Sequence, residues 1–282
     1  MFKKYLLYSI TIVLFIVFFS NCSKKEKKTP TLPENCALVI KTDLWKISTK
    51  GALYELLETP LFKELINALD QSKQEIIIPY IENPFKAGID ILEPIYTFVA
   101  RDDVYESSLI GIRMKLSNAQ KFSTLVKNIT KFTALPIPIL IKENANYFMA
   151  GQWILAWSET DLIFLYQEKI EQRILLEKLM QLTTHQEKGT HTDPNFQNIQ
   201  KQSADIAMWF NFNQFSKEIA QFQKYIFDIE TPKQQFLYIF TDFVEGGINT
   251  TIQWRSPEIK ENFLKYLRKK GEQNPQFIFK IF

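Results

Sequence analysis

Ala37-Leu38-Val39-Ile40-Lys41-Thr42-Asp43-Leu44-Trp45 decides the fold, because the same order of signals returns at Asp205-Ile206-Ala207-Met208-Trp209-Phe210-Asn211-Phe212-Asn213-Gln214-Phe215. A short apolar run of strand length opens each stretch, and Asn211-Phe212-Asn213-Gln214-Phe215 occupies the place of Lys41-Thr42-Asp43-Leu44-Trp45. The repeat lies in pattern rather than in letters. Outward from the first copy, Leu44-Trp45-Lys46-Ile47 and Tyr54 to Leu57 carry helical spacing. It resumes at Pro60-Leu61-Phe62-Lys63-Glu64-Leu65-Ile66, where proline suits a helix start because the first N–H has no intrahelical partner. Two β-rich runs follow, Ile95 to Val99 and Leu109 to Met114, joined through Arg101-Asp102-Asp103 as a hairpin. Ser117 is then expected to cap a helix with the apolar face Phe122, Leu125, Val126 and Ile129.

The second copy continues in the same way. Phe236 to Phe240, the turn Gly246-Gly247 and Ile248 to Trp254 read as a hairpin, and Pro257 to Lys270 as a helix with Phe263, Tyr266 and Leu267 inward. Between the copies lie four short strand patterns, Ile137 to Ile141, Tyr147 to Met149, Trp153 to Trp157 and Leu162 to Tyr166. A helix follows from Lys169 to about Leu182, with Ile170, Ile174 and Met180 on its apolar face. The expected fold is α+β with mainly antiparallel sheet, two similar strand-helix-strand-strand-helix modules joined by a β-meander and helix. The boundaries fall at 35–135, 136–203 and 204–282.

The N-terminus is organised differently. Lys3 and Lys4 precede the uncharged stretch Tyr5 to Ser20, the charged head and apolar middle of an export signal covering residues 1–21. The run is shorter than the roughly 20 apolar residues a membrane span needs. It stops at Ser20-Asn21-Cys22, where a lipoprotein signal peptidase would cut and leave Cys22 as the lipid-modified first residue. Residues 22–34, charged and proline-bearing, read as a tether. Six of the 34 basic residues but only one of the 31 acidic ones lie in signal and tether, so residues 29–282 carry 28 and 30, a net of −2. That balance argues against a nucleic-acid partner, which demands a basic face. With Cys22 lipidated, Cys36 has no cysteine to pair with, and its place at the head of an apolar run predicts a buried small hydrophobe.

The tether, the phrase Leu32-Pro33-Glu34-Asn35-Cys36-Ala37-Leu38-Val39-Ile40-Lys41-Thr42-Asp43-Leu44, and Gly88-Ile89-Asp90-Ile91-Leu92-Glu93-Pro94-Ile95-Tyr96 with its hairpin resemble an uncharacterised family of Bacteroidetes lipoproteins known only as a domain of unknown function. The likeness covers residues 20–170 well and the rest loosely. It implies an anchored envelope protein and supplies no reaction and no functional residue.

Catalytic signals are missing from the sequence. The eight glycines form no GxGxxG, no Walker A loop and no GxSxG elbow, and no serine is followed three residues later by lysine. His185 and His191, with Asp193, share one polar loop at a spacing that fits no standard metal set. Asp102-Asp103 and Glu159 with Asp161 are carboxylate pairs of the kind glycosidases use, but both are expected in turns between strands. No catalytic residue, cofactor or metal is assigned. The helix at Pro257–Lys270 could lie on a membrane surface or show a solvated face, and the apolar end Gln276 to Phe282 is either the last strand of the sheet or a docking segment. The expectation is a lipid-anchored, non-enzymatic envelope protein, outer-membrane and periplasm-facing, that binds a protein or lipid partner. The alternative is an envelope hydrolase whose site is assembled from scattered residues.

Overall fold

The computed structural model describes residues 30–50, 58–68, 70–102, 104, 107–130, 139–142, 145–183, 189–214 and 236–255. Ten strands lie within them: β1 Cys36–Thr42, β2 Ile95–Asp102, β3 Ser107–Lys115, β4 Leu140–Lys142, β5 Ala145–Ala150, β6 Trp153–Trp157, β7 Asp161–Gln167, β8 Ile206–Asn211, β9 Phe236–Val244 and β10 Gly247–Arg255. Six α-helices accompany them: α1 Leu44–Thr49, α2 Pro60–Asn67, α3 Gln71–Glu82, α4 Ala119–Thr130, α5 Gln172–Thr183 and α6 Pro194–Lys201. The expected α+β fold with an antiparallel sheet is what forms.

All ten strands join one sheet in the order β10-β9-β8-β1-β2-β3-β7-β6-β5-β4, and every neighbouring pair is antiparallel. Alternation along the strands separates two faces. On the first face a single cross-strand row runs Tyr238, Trp209, Val39, Phe98, Gly111, Leu165 and Ile154. These residues are buried, and they form one core with Leu175 and Leu179 of α5 and Phe196 and Ile199 of α6. The next row, on the second face, is Ile239, Met208, Ile40, Thr97, Ile112, Phe164 and Leu155, each only half-buried. At the β5 to β7 end of this second face, α4 lays Phe122 and Val126 against Phe148, Trp157 and Leu162. Phe122 and Trp157 meet edge to face at 5.5 Å, a geometry suited to the ring quadrupoles.

Several local expectations change. The cap of α4 is Asn118, whose Oδ1 accepts from Lys121 N at 2.9 Å, while the Ser117 N–H is taken by the Gly88 carbonyl at 2.8 Å. Gly88 has φ +76, and a Cβ there would lie 2.1 Å from the Asn118 carbonyl oxygen, so both the turn and the close approach require glycine. Ile129, expected inward, is exposed because the helix bears on the sheet only through its first two turns. α3, with Pro79 inside it, and α6 had no counterpart in the sequence reading. The chain is already packed at Thr31 and Leu32, inside the stretch that composition gave to the tether: Leu32 is 1 % exposed within the main core. The helix at Pro257–Lys270, the segment Gln276–Phe282, Asp103 and His185 lie outside the described residues.

Candidate functional site

Asp102 ends β2 and points to the first face, where a turn residue was expected. It is 8 % exposed. A carboxylate at that depth needs a cation and donors, and α5 supplies them. Lys178 forms an ion pair with Asp102 and donates to Gln167 Oε1 at 3.0 Å, and Gln167 Nε2 in turn donates to Asp102 Oδ2 at 2.7 Å and to Ser107 Oγ at 2.8 Å. Beside this network opens a cavity of about 300 Å³ between the β2–β3 hairpin, α5 and the entering chain, with Pro33, Asn35, Arg101, Asp102, Lys178 and Gln181 among its walls.

Asp161 opens β7 and meets two cations from β3. Arg113 Nη2 lies 3.0 Å and Lys115 Nζ 2.9 Å from its Oδ1. Burial on its own would raise the Asp161 carboxyl, but Arg113 and Lys115 outweigh it and hold the group below its ordinary value. The same Arg113 reaches further: its Nη1 donates to the carbonyls of Thr31 at 2.7 Å and Leu182 at 3.3 Å, tying the entering chain to the end of α5. Glu159, the expected partner of Asp161, stands exposed in the turn before it. Asp205 is the third buried carboxylate. Lys50 Nζ lies 2.6 Å from its Oδ2, which also accepts from Phe243 N at 2.7 Å. Each of these acids is therefore engaged by lysine or arginine and stabilises the charged, not the protonated, carboxylate. None is poised as a general acid.

The polar loop expected to carry histidines instead clasps the chain where it enters the sheet. Thr190 N donates to Pro33 O at 3.1 Å, Thr190 Oγ1 donates to Glu34 O at 2.9 Å and accepts from Cys36 N at 3.3 Å, and His191 Nδ1 accepts from Leu32 N at 3.5 Å. Asp193 caps α6 by accepting from Asn195 N at 2.7 Å. Among the described residues no three His, Cys, Asp or Glu side chains converge on a possible metal position. Cys36 is fully buried, and burial, against a smaller opposing hydrogen bond from Thr190, pushes its thiol up to about 12. No described helix is long and apolar enough to cross a membrane. Asp161 and its cations were missed as a cluster because the partners are 46 and 48 residues away in sequence.

The sheet, its two unlike faces and its neutralised acids define an α+β body of structural or binding type. The chain belongs to the family described as a domain of unknown function (DUF4836), whose profile matches residues 29–279, well beyond the stretch over which the resemblance was legible. No curated protein matches. Among solved structures, crystal form I of TP0453 is similar at 10% identity and TM-score 0.46, over 85% of this chain and 82% of that one. Crystal form IV of TP0453 is similar at 9% identity and TM-score 0.45, over 80% and 81%.

Proposed function

We propose that this protein is a lipid-anchored envelope protein that binds a protein or lipid partner and catalyses no reaction. The observation that carries the reading is Ser20-Asn21-Cys22, a small-residue cleavage site with its cysteine at the end of an uncharged run behind Lys3 and Lys4. Two features support it. Residues 23–30 are all that separate Cys22 from the packed Thr31, a reach of about 30 Å at full extension. The buried acids, which a hydrolase would need free, are bound by Lys178, Arg113 with Lys115, and Lys50.

Ser23 follows the anchor position, where an aspartate would favour inner-membrane retention, and Lys24-Lys25-Glu26-Lys27-Lys28 is basic rather than acidic. Both favour the periplasmic side of the outer membrane. Replacing Cys22 by Ala is expected to abolish incorporation of a clickable fatty acid and move the protein from the membrane to the soluble fraction. Persistent label in the variant would end the lipoprotein reading. Protease added to intact cells should leave the protein whole, and digestion before lysis would place it on the cell surface instead. A pull-down from envelope extract with the lipidated protein reads out the partner.

A further inference from the structure

The two edges of the sheet are built differently. β4, at one side, is three residues long and ends in Lys142, and brevity and charge both keep an edge from recruiting foreign strands. β10, at the other, is nine residues long and pairs with β9 along its whole length, and its second edge has no partner among the described residues. From Gly247 to Trp254 it holds no charged residue and no proline, and Ile248, Thr250, Thr251 and Ile252 are β-branched. Ile248 is 63 % exposed. A long, neutral, β-branched edge of this kind is a template for strand addition.

The sheet order shows what belongs there. β1 and β8 pair at its middle, with β2 and β3 to one side and β9 and β10 to the other. β3 and β10 therefore hold matching places, third outward from the centre. The outer edge of β3 is taken by β7 in a register that runs from Leu109 opposite Gln167 to Lys115 opposite Asp161. Beyond β10 the chain continues for residues 256–282 and includes Gln276-Phe277-Ile278-Phe279-Lys280-Ile281-Phe282, a stretch of strand length and apolar character. Residues 256–275 link it to the edge, and a link so short gives an effective concentration in the millimolar range, above that of a second copy in solution.

We propose that Phe277–Phe282 adds to the open edge of β10 as an eleventh strand. The chain thereby fills from within a strand-addition site that would otherwise take a strand from another copy. The proposal is independent of the lipid anchor. Residue-level amide hydrogen exchange on the intact mature chain tests it, with the mass in solution measured on the same sample. In a monomer, the alternate β10 N–H groups that point away from β9 should be protected. Deleting residues 277–282 should remove that protection while the N–H groups bonded to β9 keep theirs, and the truncated chain should begin to self-associate. Ile278→Pro, which removes a strand donor but leaves the rest of the segment, should do the same if the truncation does not fold. Outward N–H groups that exchange freely in the intact monomer would overturn the proposal. So would protection found only in a dimer and lost on dilution, which would make a second copy the occupant.

Discussion

Val39 of β1 lies directly opposite Trp209 of β8, and neither leaves appreciable surface exposed. In the sequence reading, Trp209 holds in the second copy the place that Val39 holds in the first. The pair sits at the middle of the ten-stranded order, so it joins the β1-β2-β3 side of the sheet to the β8-β9-β10 side. Trp209 fills the gap above this seam: Phe196 of α6 meets it edge to face at 5.7 Å and Phe236 of β9 stacks on it at 5.8 Å.

Truncating that ring should therefore be expensive. Trp209→Ala is expected to cost about 3–5 kcal/mol, the range for deleting a large aromatic from a packed core. For a chain of this size, that is a fall of roughly 6–20 °C in Tm. Trp209→Phe should cost much less, because Nε1 of Trp209 has no hydrogen-bond partner among the described residues and its loss leaves nothing unpaired. Thermal unfolding of the two variants checks this, and equal losses would contradict it.

Arg113 is the buried cation on which Asp161, Thr31 and Leu182 converge. Arg113→Met should destabilise by about 3–5 kcal/mol at neutral pH, since it strands a partly buried carboxylate and two carbonyls. The pH dependence has a defined sign. Asp161 is held below its ordinary value in the folded state, so its contribution is full above the unfolded carboxyl range, near 4, and disappears as pH falls through the lower folded value. Urea midpoints taken from pH 7 down to pH 3 should show the gap between the two proteins narrowing on the acid side. A gap that widens there would reverse the assignment.

Gly111 lies opposite Phe98, and a Cβ built on it would come within 2.0 Å of the Phe98 ring. The backbone conformation is ordinary, so the demand for glycine is purely steric. Gly111→Ala should destabilise by about 1–3 kcal/mol, as overpacking does. Phe98→Leu made in the same chain should cost less than it does alone, because the smaller side chain vacates the contested space. Chemical denaturation of the two singles and the double closes the cycle, and additive losses would refute the contact.

Cys36 has no exposed surface, and its thiol is pushed up to about 12. At pH 8 almost none of it is thiolate, the nucleophilic form. The folded protein, with Cys22 replaced by Ala, should show no thiol reactive toward an aromatic disulfide reagent, and one after denaturation. Reaction at the folded-state stage would mean that the clasp by Thr190 opens readily.

Local pattern was enough to read the strands, because alternation records burial on one face whatever lies across from it. Trp153 to Trp157 matches β6 end to end, and the hairpins at Ile95 and at Phe236 fall where β-branched and aromatic runs flank a turn. Pro60 starts α2 behind Thr59, whose side chain accepts from Phe62 N. The missed α6 also had its signal, Asp193 before Pro194 with Phe196 and Ile199 three apart, which the reading of that stretch as a polar histidine loop concealed.

What the sequence could not decide depends on groups that meet only in the folded chain. Ser117 and Asn118 are equally good caps by residue type, and the choice falls to Asn118 because the Gly88 carbonyl takes the Ser117 N–H. Asp102 reads as a turn acid until Lys178, 76 residues later, makes its burial affordable and extends β2 through it. The same holds for Arg113 and Asp161, and for β8 lying beside β1. By itself the sequence determined which residues are strand, which face of each strand is apolar, and that an export signal with its cysteine precedes the body. Which strands are neighbours, and which buried acid meets which base, was decided by tertiary structure, because a strand edge or a carboxylate can be satisfied by many partners and only the packing of the whole sheet selects one.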